Sequence, residues 1–300
     1  MTLKNNGKKL LLAGLAAGAF PGVFFCRRLW YNKAGAFLYW QDNALTVTQM
    51  TCTTMVPKAF HGYKILHISD LQNKMFGKNQ ERLIYKAECT APDLIVITGD
   101  LIDRNRTDLD AAMDLIRGIV KLAPVYYVSG NHEHQSGYYE DLVELLTAEG
   151  VKVLDNGKSI LERDGDTITL LGLADKRVNP HYGKILDMMC KGHEDDFKLL
   201  LCHRPELFAD YVEREIPLVC CGHAHGGQIR LPFIGGLFAP NQGFFPKYTE
   251  GMHRAGKTSM AVSRGLGNST FPFRIFNRPE LVVITLYHKG ETDYTETTTV

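Results

Sequence analysis

Short apolar runs alternate with helical stretches after residue 62, and this alternation limits the fold more than any other feature. The runs Tyr63–Ser69, Leu94–Thr98 and Val125–Ser129 have the length of strands and are rich in β-branched and aromatic residues. Between them, Asn79–Cys89 and Thr107–Lys121 carry apolar residues at helical spacing. Strand–helix–strand units of about 30 residues are typical of βαβ folds with a buried sheet. The sequence therefore predicts an α/β fold.

Further strands are predicted in the second half of the chain, with fewer helices between them. They are Ile168–Leu173, Lys198–Cys202, Leu218–Cys221, Met260–Ser263 and Leu281–Leu286. No repeat or linker divides the stretch over 60–288, so we expect one α/β domain, extending over 43–300, whose first strand begins near Tyr63.

The first 42 residues differ in character from the rest of the chain. No acidic residue precedes Asp42, and the stretch from Leu10 to Cys26 is uncharged and mostly apolar. Its length is at the short end of what a membrane-spanning helix needs. Arg27 and Arg28 follow it without a small-residue cleavage site, which favours an uncleaved anchor over a signal peptide. The alternative is a buried core helix. Five aromatic residues that follow resemble an interfacial belt: Trp30, Tyr31, Phe37, Tyr39 and Trp40.

We therefore expect residues 1–42 to form a membrane anchor and a juxtamembrane segment, with the protein in the cell membrane. Basic residues flank both ends of the apolar run, so charge does not determine the orientation, and we favour an extracytoplasmic location for the α/β domain. The formal net charge of +1 gives no indication of a nucleic-acid partner. The oligomeric state is left open.

Oxygen and imidazole side chains directly follow five of the predicted strands. In chain order the groups are Asp70-Leu71-Gln72, Gly99-Asp100-Leu101-Ile102-Asp103-Arg104, Gly130-Asn131-His132-Glu133, Cys202-His203-Arg204-Pro205 and Gly222-His223-Ala224-His225. Reactive groups gather at the carboxyl ends of strands in open α/β sheets. Carboxylates, amides and imidazoles suit zinc, manganese or iron(II). They are too many for one tetrahedral ion and suit two ions that share a carboxylate.

These groups resemble the motifs of the calcineurin-like metallophosphoesterases, which run D-x-H, G-D-x-x-D-R, G-N-H-E, a single His and G-H-x-H. The resemblance covers about residues 60–286 and implies that family's αββα sandwich, with a dinuclear metal site at the carboxyl ends of the strands. Gly222–Pro246 and Ser263–Asn268 are also similar to the bacterial membrane-anchored phosphodiesterases of this superfamily.

The resemblance implies a role for each matching residue. It implies seven ligands for two divalent ions, with Asp100 bridging: Asp70, Gln72 and His225 on the first ion, and Asn131, His203 and His223 on the second. His132 would act as the general acid or stabilise charge on the phosphate. Asp103, Arg104 and Glu133 would hold neighbouring groups or contact the substrate. The implied reaction is attack of a metal-bridged hydroxide on a phosphodiester or pyrophosphate.

Gln72 departs from the family pattern, because a histidine is usual at this position. One interpretation makes Gln72 a weaker and harder ligand, which favours manganese at its site, similar to the manganese-dependent ADP-ribose and CDP-alcohol pyrophosphatases. Two others remain open. The first metal site could be crippled, leaving a catalytically impaired metal-binding membrane protein, or Gln72 could only hydrogen-bond a metal-bound water.

The substrate is inferred from the surroundings of the metal motifs. Phe233–Tyr248 is rich in aromatic residues, glycine and proline, which is typical of a lid or of a face that contacts lipid. Together with the predicted anchor, it favours a lipid-linked or nucleotide-diphosphate substrate at the membrane, as for the UDP-diacylglucosamine pyrophosphatases that the subgroup resembles. The alternative enzyme is a tethered phosphodiesterase for soluble nucleotides.

Overall fold

Two six-stranded mixed sheets dominate the structure, a computed structural model that describes residues 33–268 and 271–289. The strands of the first sheet lie in the order β1 (Thr46–Cys52), β16 (Glu280–Leu286), β2 (Lys64–Ile68), β3 (Leu94–Thr98), β4 (Val125–Val128) and β5 (Lys152–Val153). The second sheet has the order β14 (Gly251–Ala255), β15 (Thr258–Val262), β9 (Leu218–Cys221), β8 (Lys198–Leu201), β7 (Asp166–Gly172) and β6 (Gly157–Arg163). Strands β2 to β5 are parallel, as are β7, β8, β9 and β15.

Helices cover the outer faces of both sheets. The described helices are α1 (33–43), α2 (Glu81–Glu88), α3 (Leu109–Ile119), α4 (Asn131–Ser136), α5 (Tyr139–Ala148), α6 (Tyr182–Cys190) and α7 (Phe208–Glu213). Two small hairpins, β10 (Arg230–Leu231) with β11 (Gly235–Gly236) and β12 (Phe238–Ala239) with β13 (Gly243–Phe244), follow β9.

The apolar side chains of the strands alternate between two cores. In β3, Ile95 and Ile97 pack with α2 and α3, whereas Leu94 and Val96 pack between the two sheets. A third core lies between the second sheet and α6 and α7, around Leu200. Because successive side chains of a strand point to opposite faces, a strand that is apolar throughout must be covered on both faces. This gives the αββα layering and confirms the predicted α/β sandwich.

The amino-terminal part of the described chain differs from the sequence-based prediction. The prediction that the first strand begins near Tyr63 is wrong, because β1 pairs in parallel with β16 over Thr46–Cys52. This strand lies at the edge of the sheet and only two of its seven residues are buried, so it lacks the apolar run of a central strand. Helix α1 crosses the expected boundary between residues 42 and 43.

The predicted membrane helix within 1–42 lies outside the described residues. Over 33–268 and 271–289, no helix is both long and apolar enough to cross a bilayer.

Candidate metal centre

The side chains predicted to bind metal lie together where the carboxyl ends of the two sheets meet. Asp70 and Asp100 follow β2 and β3 of the first sheet, and Asn131 begins α4 shortly after β4. His203 and His223 follow β8 and β9 of the second sheet, and all five are buried. The parallel strands therefore bring to one place residues that are up to 153 positions apart in the chain, as for Asp70 and His223.

Two groups of potential ligands share one carboxylate. Asp100, His203 and His223 form one group, and Asp70, Asp100 and His225 form the other, with the ligand atoms of each group within 4.8 Å of one another. The Nε2 atom of His203 lies 3.3 Å from Oδ2 of Asp100, and Nε2 of His225 lies 3.3 Å from Oδ1 of Asp70. Asp100 is common to both groups, so its carboxylate is in the position to be shared by two ions.

Two buried amide oxygens indicate that this site fits cations. Oδ1 of Asn131 and Oε1 of Gln72 have no hydrogen-bond partner, although both residues are buried. An unpaired buried carbonyl-type oxygen costs free energy unless something else binds it. Amide oxygens beside carboxylates and imidazoles are ligands that zinc, manganese and iron(II) accept. The residues present therefore fit a pair of divalent ions.

The ionisation states of the cluster also suit metal binding. Burial lowers the pKa of His223 and of His225, which keeps both imidazoles neutral with a lone pair available. Burial would raise the pKa of Asp100, but His203 and His132 hold it well below the ordinary value. Burial alone would lower the pKa of His203, but Asp100 raises it to about 10. Metal binding at a histidine releases such a proton, so an ion here competes with it.

The Gln72 carboxamide lies within the group formed by Asp70, Asp100 and His225. Its Nε2 atom is 3.2 Å from Oδ2 of Asp100 and 3.2 Å from Nε2 of His225. The oxygen and nitrogen of a carboxamide are assigned from hydrogen bonding, and a half-turn about the terminal bond exchanges them. That half-turn places Oε1 among the ligand atoms and resolves its lack of a partner.

Unusual backbone conformations shape the centre. Positive φ angles occur at Asp70, Asp100, Gln72, His223 and His225, with values between 45° and 66°. Non-glycine residues rarely adopt this region, and such strain clusters at functional sites.

Glycines permit close approach between the loops of the centre. Gly99 has a φ of 86°, as expected for a glycine that turns the chain, but Gly130 and Gly222 lie outside the left-handed region. A Cβ atom would come within 2.2 Å of Oδ1 of Asp100 at Gly130, and within 1.9 Å of Oγ of Ser69 at Gly222. These two positions need glycine for space.

The His132 ring lies beside the centre without belonging to either ligand group. Its Nδ1 accepts a hydrogen bond of 3.2 Å from the backbone N–H of Arg104, which leaves the proton of the neutral ring on Nε2. Nε2 lies 3.9 Å from Oδ2 of Asp100. The ring therefore presents an N–H group toward the metal cluster and is 7% exposed.

The three residues expected to hold neighbouring groups have separate contacts. Both oxygens of Glu133 accept backbone N–H bonds, from Asp100 at 3.0 Å and Leu101 at 2.6 Å, so Glu133 fixes the Asp100 turn. Oδ1 of Asp103 accepts from the N–H of Asn105, which closes its own loop. The Arg104 side chain is exposed and donates to Gln135, so its backbone rather than its charge faces the centre.

Sequence reasoning missed a buried ion pair behind the centre. Arg204 donates two hydrogen bonds to Asp175, from Nε at 2.6 Å and from Nη2 at 2.9 Å. Its Nη1 lies 2.8 Å from Nε2 of His223. Asp175 comes three residues after β7, so the rule that located the other groups at strand ends could have found it.

The hairpins and the amino-terminal helix also reach the centre. The carboxamide of Asn241, between β12 and β13, lies 2.9 Å from Nε2 of His223. Asn277 donates 2.7 Å and 3.0 Å hydrogen bonds to the backbone oxygens of His225 and Gln228. Helix α1 supports this segment, because Gln41 accepts a bond from the Asn277 N–H. Asp42 accepts from the N–H of Arg274 in the same way.

The sequence of this chain is similar to those of several known proteins. A family model described as calcineurin-like phosphoesterase matches residues 63–227. The uncharacterized metallophosphoesterase YkuE of Bacillus subtilis is 34% identical over 286 residues, which is 93% of this chain and 95% of that protein. Phosphodiesterase YaeI of Escherichia coli is 29% identical over 237 residues, 75% of this chain and 82% of its own. A dimetal phosphatase from Danio rerio has a TM-score of 0.46 and 12% identity, covering 76% of this chain and 93% of its own.

Proposed function

The chain belongs to the calcineurin-like phosphoesterase family, as its motifs predicted, and from that premise we propose that it hydrolyses a phosphodiester or pyrophosphate bond. The family uses a dinuclear divalent metal site, and the match identifies the chain as a hydrolase. The observation that carries the proposal is the sharing of Asp100 by two buried ligand groups.

We assign the ligands of the two ions from these groups. Asp70, Gln72 and His225 would hold the first ion with Asp100, and Asn131, His203 and His223 would hold the second with the same carboxylate. Support comes from the distances within each group and from the unpaired amide oxygens of Gln72 and Asn131. The metals are manganese, zinc or iron, and manganese is favoured beside Gln72 because an amide oxygen is a hard, neutral donor.

The side chains around the two ion sites have separate roles in the proposed reaction. When bound, two divalent ions activate water at neutral pH and neutralise charge on phosphoryl oxygens. His132 directs its Nε2–H at the departing oxygen and donates a hydrogen bond that stabilises the negative charge developing there, because the Arg104 N–H occupies Nδ1 and leaves Nε2 facing the centre. Glu133 keeps the Asp100 turn in place through its backbone bonds.

The substrate that we propose is a phosphodiester or nucleotide-type diphosphate presented at a membrane, with the catalytic domain extracytoplasmic. Exposed apolar side chains beside the centre support a membrane location. Phe233, Phe244 and Phe245 of the hairpin segment are more than 60% exposed, and that segment reaches His223 through Asn241.

The proposed activity is tested with a soluble diester. Protein supplied with manganese is expected to hydrolyse bis(p-nitrophenyl) phosphate, and Asp100→Asn is expected to lose both turnover and bound metal. Metal content is measured by mass spectrometry on the same samples. Asp164→Asn is the matched control, because Asp164 lies in an exposed turn at a φ of 48°, which asparagine tolerates. Metal-loaded wild-type protein that cleaves neither diesters nor pyrophosphates would contradict the proposal.

Replacing Gln72 by histidine is expected to strengthen the first metal site. Imidazole binds borderline ions such as zinc more strongly than a neutral amide oxygen does. Purified wild-type protein should carry closer to one ion per chain than two, and its activity should rise with added manganese. Gln72→His should approach two ions and depend less on added manganese. Identical stoichiometry and manganese dependence in both proteins would remove Gln72 from the coordination sphere.

A further inference from the structure

Exposed aromatic side chains form a cluster at the surface beside the metal centre. The Phe37 ring of α1 lies 5.9 Å from the Phe276 ring, edge to face, and 6.4 Å from Trp40. Phe271 and Phe273, whose rings are 6.1 Å apart, come from the same segment as Phe276. The five side chains are between 39% and 56% exposed, and we name them the aromatic patch.

The patch combines apolar rings with positive charge. The guanidinium of Arg278 lies 4.9 Å from the centre of the Trp40 ring. Of the charged residues in 33–43 and 271–278, Asp42 alone is acidic, and its carboxylate accepts hydrogen bonds from Arg274 and Asn268. Single exposed apolar residues are ordinary, whereas a clustered group marks an interaction surface. Aromatic rings with basic neighbours are the composition of interfacial membrane-binding segments.

The chain that precedes the patch indicates what covers it. The uncharged apolar stretch ends at Cys26, only seven residues before α1 begins its described part at Lys33, with Arg27 and Arg28 between. Seven residues span at most roughly 25 Å even when extended. A bilayer that accepts the apolar stretch therefore lies within reach of the rings on α1.

We propose that the aromatic patch is a lipid-contact surface that seats the catalytic domain on an anionic bilayer. This inference deepens the proposed function, since it rests on a substrate presented at a membrane. The rings insert among the lipid headgroups, and Arg278 beside Trp40 faces the anionic lipid phosphates.

The same segment connects the patch to the metal centre. Phe276 precedes Asn277, which hydrogen-bonds to the backbone of His225. The first small hairpin adjoins it, because the N–H of Arg230 donates to the backbone oxygen of Ile275 at 2.9 Å. A patch seated on lipid thus places the metal centre next to the bilayer surface, where a lipid-linked phosphate is exposed.

Tryptophan fluorescence in vesicles tests the contact directly. The chain has two tryptophans, so Trp30→Phe leaves Trp40 as the reporter in the full-length protein. In phosphatidylglycerol–phosphatidylcholine vesicles, Trp40 emission should shift to the blue and lose most of its intensity when the lipids carry bromine. A control chain with Trp30→Phe, Trp40→Phe and Met188→Trp reports from α6, where Met188 is 75% exposed, and should be quenched little.

Steady-state kinetics then distinguish an effect on lipid contact from an effect on the hydrolysis itself. Phe37→Ser combined with Phe276→Ser should raise KM for a vesicle-presented phosphodiester by about tenfold or more, because two apolar contacts with lipid are lost. Turnover of soluble bis(p-nitrophenyl) phosphate should not change.

Three results would overturn the lipid contact. Trp40 could be quenched no more than the α6 reporter, or its emission could be blue but insensitive to brominated lipid, which would show the patch covered by the chain's own apolar stretch or by a second copy. The third is an unchanged KM in the double variant. Absence of soluble turnover in wild-type protein would instead contradict the proposed hydrolase and leave the quenching result standing.

Discussion

Replacing His132 by alanine is expected to lower kcat by about 10² to 10³, the usual contribution of one hydrogen-bond donor to developing negative charge, while the metal content stays near that of wild type. The ring lies outside both ligand groups, and its Nε2–H faces the centre because the Arg104 N–H occupies Nδ1. The variant therefore removes a hydrogen-bond donor and leaves the ligand set intact. Stopped assays of kcat, with metal measured on the same protein, give both quantities.

The leaving group distinguishes stabilisation of the departing oxygen from a structural defect. p-Nitrophenolate spreads its negative charge over the ring and departs readily, so His132→Ala should lose less activity on bis(p-nitrophenyl) phosphate than on an alkyl phosphodiester. His134→Gln is the control on the same helix, because His134 contacts Ser129 at 2.8 Å and is only half-buried. Equal losses on both substrates, or loss of bound metal, would show that His132 does not stabilise the departing oxygen.

Replacing Asp175 by alanine is expected to destabilise the protein by about 3–5 kcal/mol, because the Arg204 charge stays buried without its paired carboxylate. Asp175 and Arg204 are 1% and 4% exposed, and the Nη1 atom of Arg204 lies 3.5 Å from Oε1 of Glu206, farther than the 2.6 Å between its Nε and Asp175. Urea unfolding followed by circular dichroism measures the change. Arg204 also lies against His223. The affinity of the group formed by Asp100, His203 and His223 for its ion should therefore fall about 10- to 100-fold, as for other residues that orient ligands.

Two controls define the origin of this effect. The combined variant Asp175→Leu with Arg204→Met should be more stable than Asp175→Leu alone, because it removes both buried charges. Lys257→Gln, which breaks an exposed ion pair with Glu215, should change the free energy of unfolding little. Equal stability of Asp175→Ala and wild type would show that the pair contributes nothing.

The pH dependence of this pair follows from its pKa. Burial would raise the pKa of Asp175, but Arg204 lowers it below the ordinary value of 3.8. A carboxyl whose folded-state pKa is depressed stabilises the fold above its unfolded pKa and loses that contribution as the pH falls through the folded value. The stabilisation from Asp175 is therefore complete at neutral pH and disappears in acid, and Asp175→Ala should lack this acid-dependent part.

The candidate metal ligands could be predicted from the sequence because each one directly follows a recognisable strand. A short apolar run indicates a strand, and Asp70, Asp100, His203 and His223 come within two residues of such runs. The parallel order of β2, β3 and β4 then brings their ends to the same edge. Strand limits were predicted to within two residues, as for Leu94–Thr98 and Leu218–Cys221, which agree at both ends.

Features that depend on a distant partner were not predictable in this way. Strand β1 has few apolar residues because only β16, some 230 residues later, borders it. Asp42 belongs to the segment that was expected to lie outside the catalytic domain. Its carboxylate nevertheless accepts a hydrogen bond from the backbone N–H of Arg274, which is 232 residues away in the chain. Gly130 and Gly222 are required by side chains of Asp100 and Ser69 that no local pattern reveals.

The sequence by itself determined the α/β class, the family and the residue types of the metal centre, because strand patterns and motif spacing depend only on residues that are close together in the chain. The resemblance already implied a shared Asp100, and only the tertiary structure decided that His132 presents Nε2 and that Arg204 and Asn241 support His223. It also decided that α1 joins its buried Gln41 to the segment around the centre while Phe37 and Trp40 face outward. These relations arise from contacts between residues far apart in the chain, and such contacts are set by the packing of the two sheets.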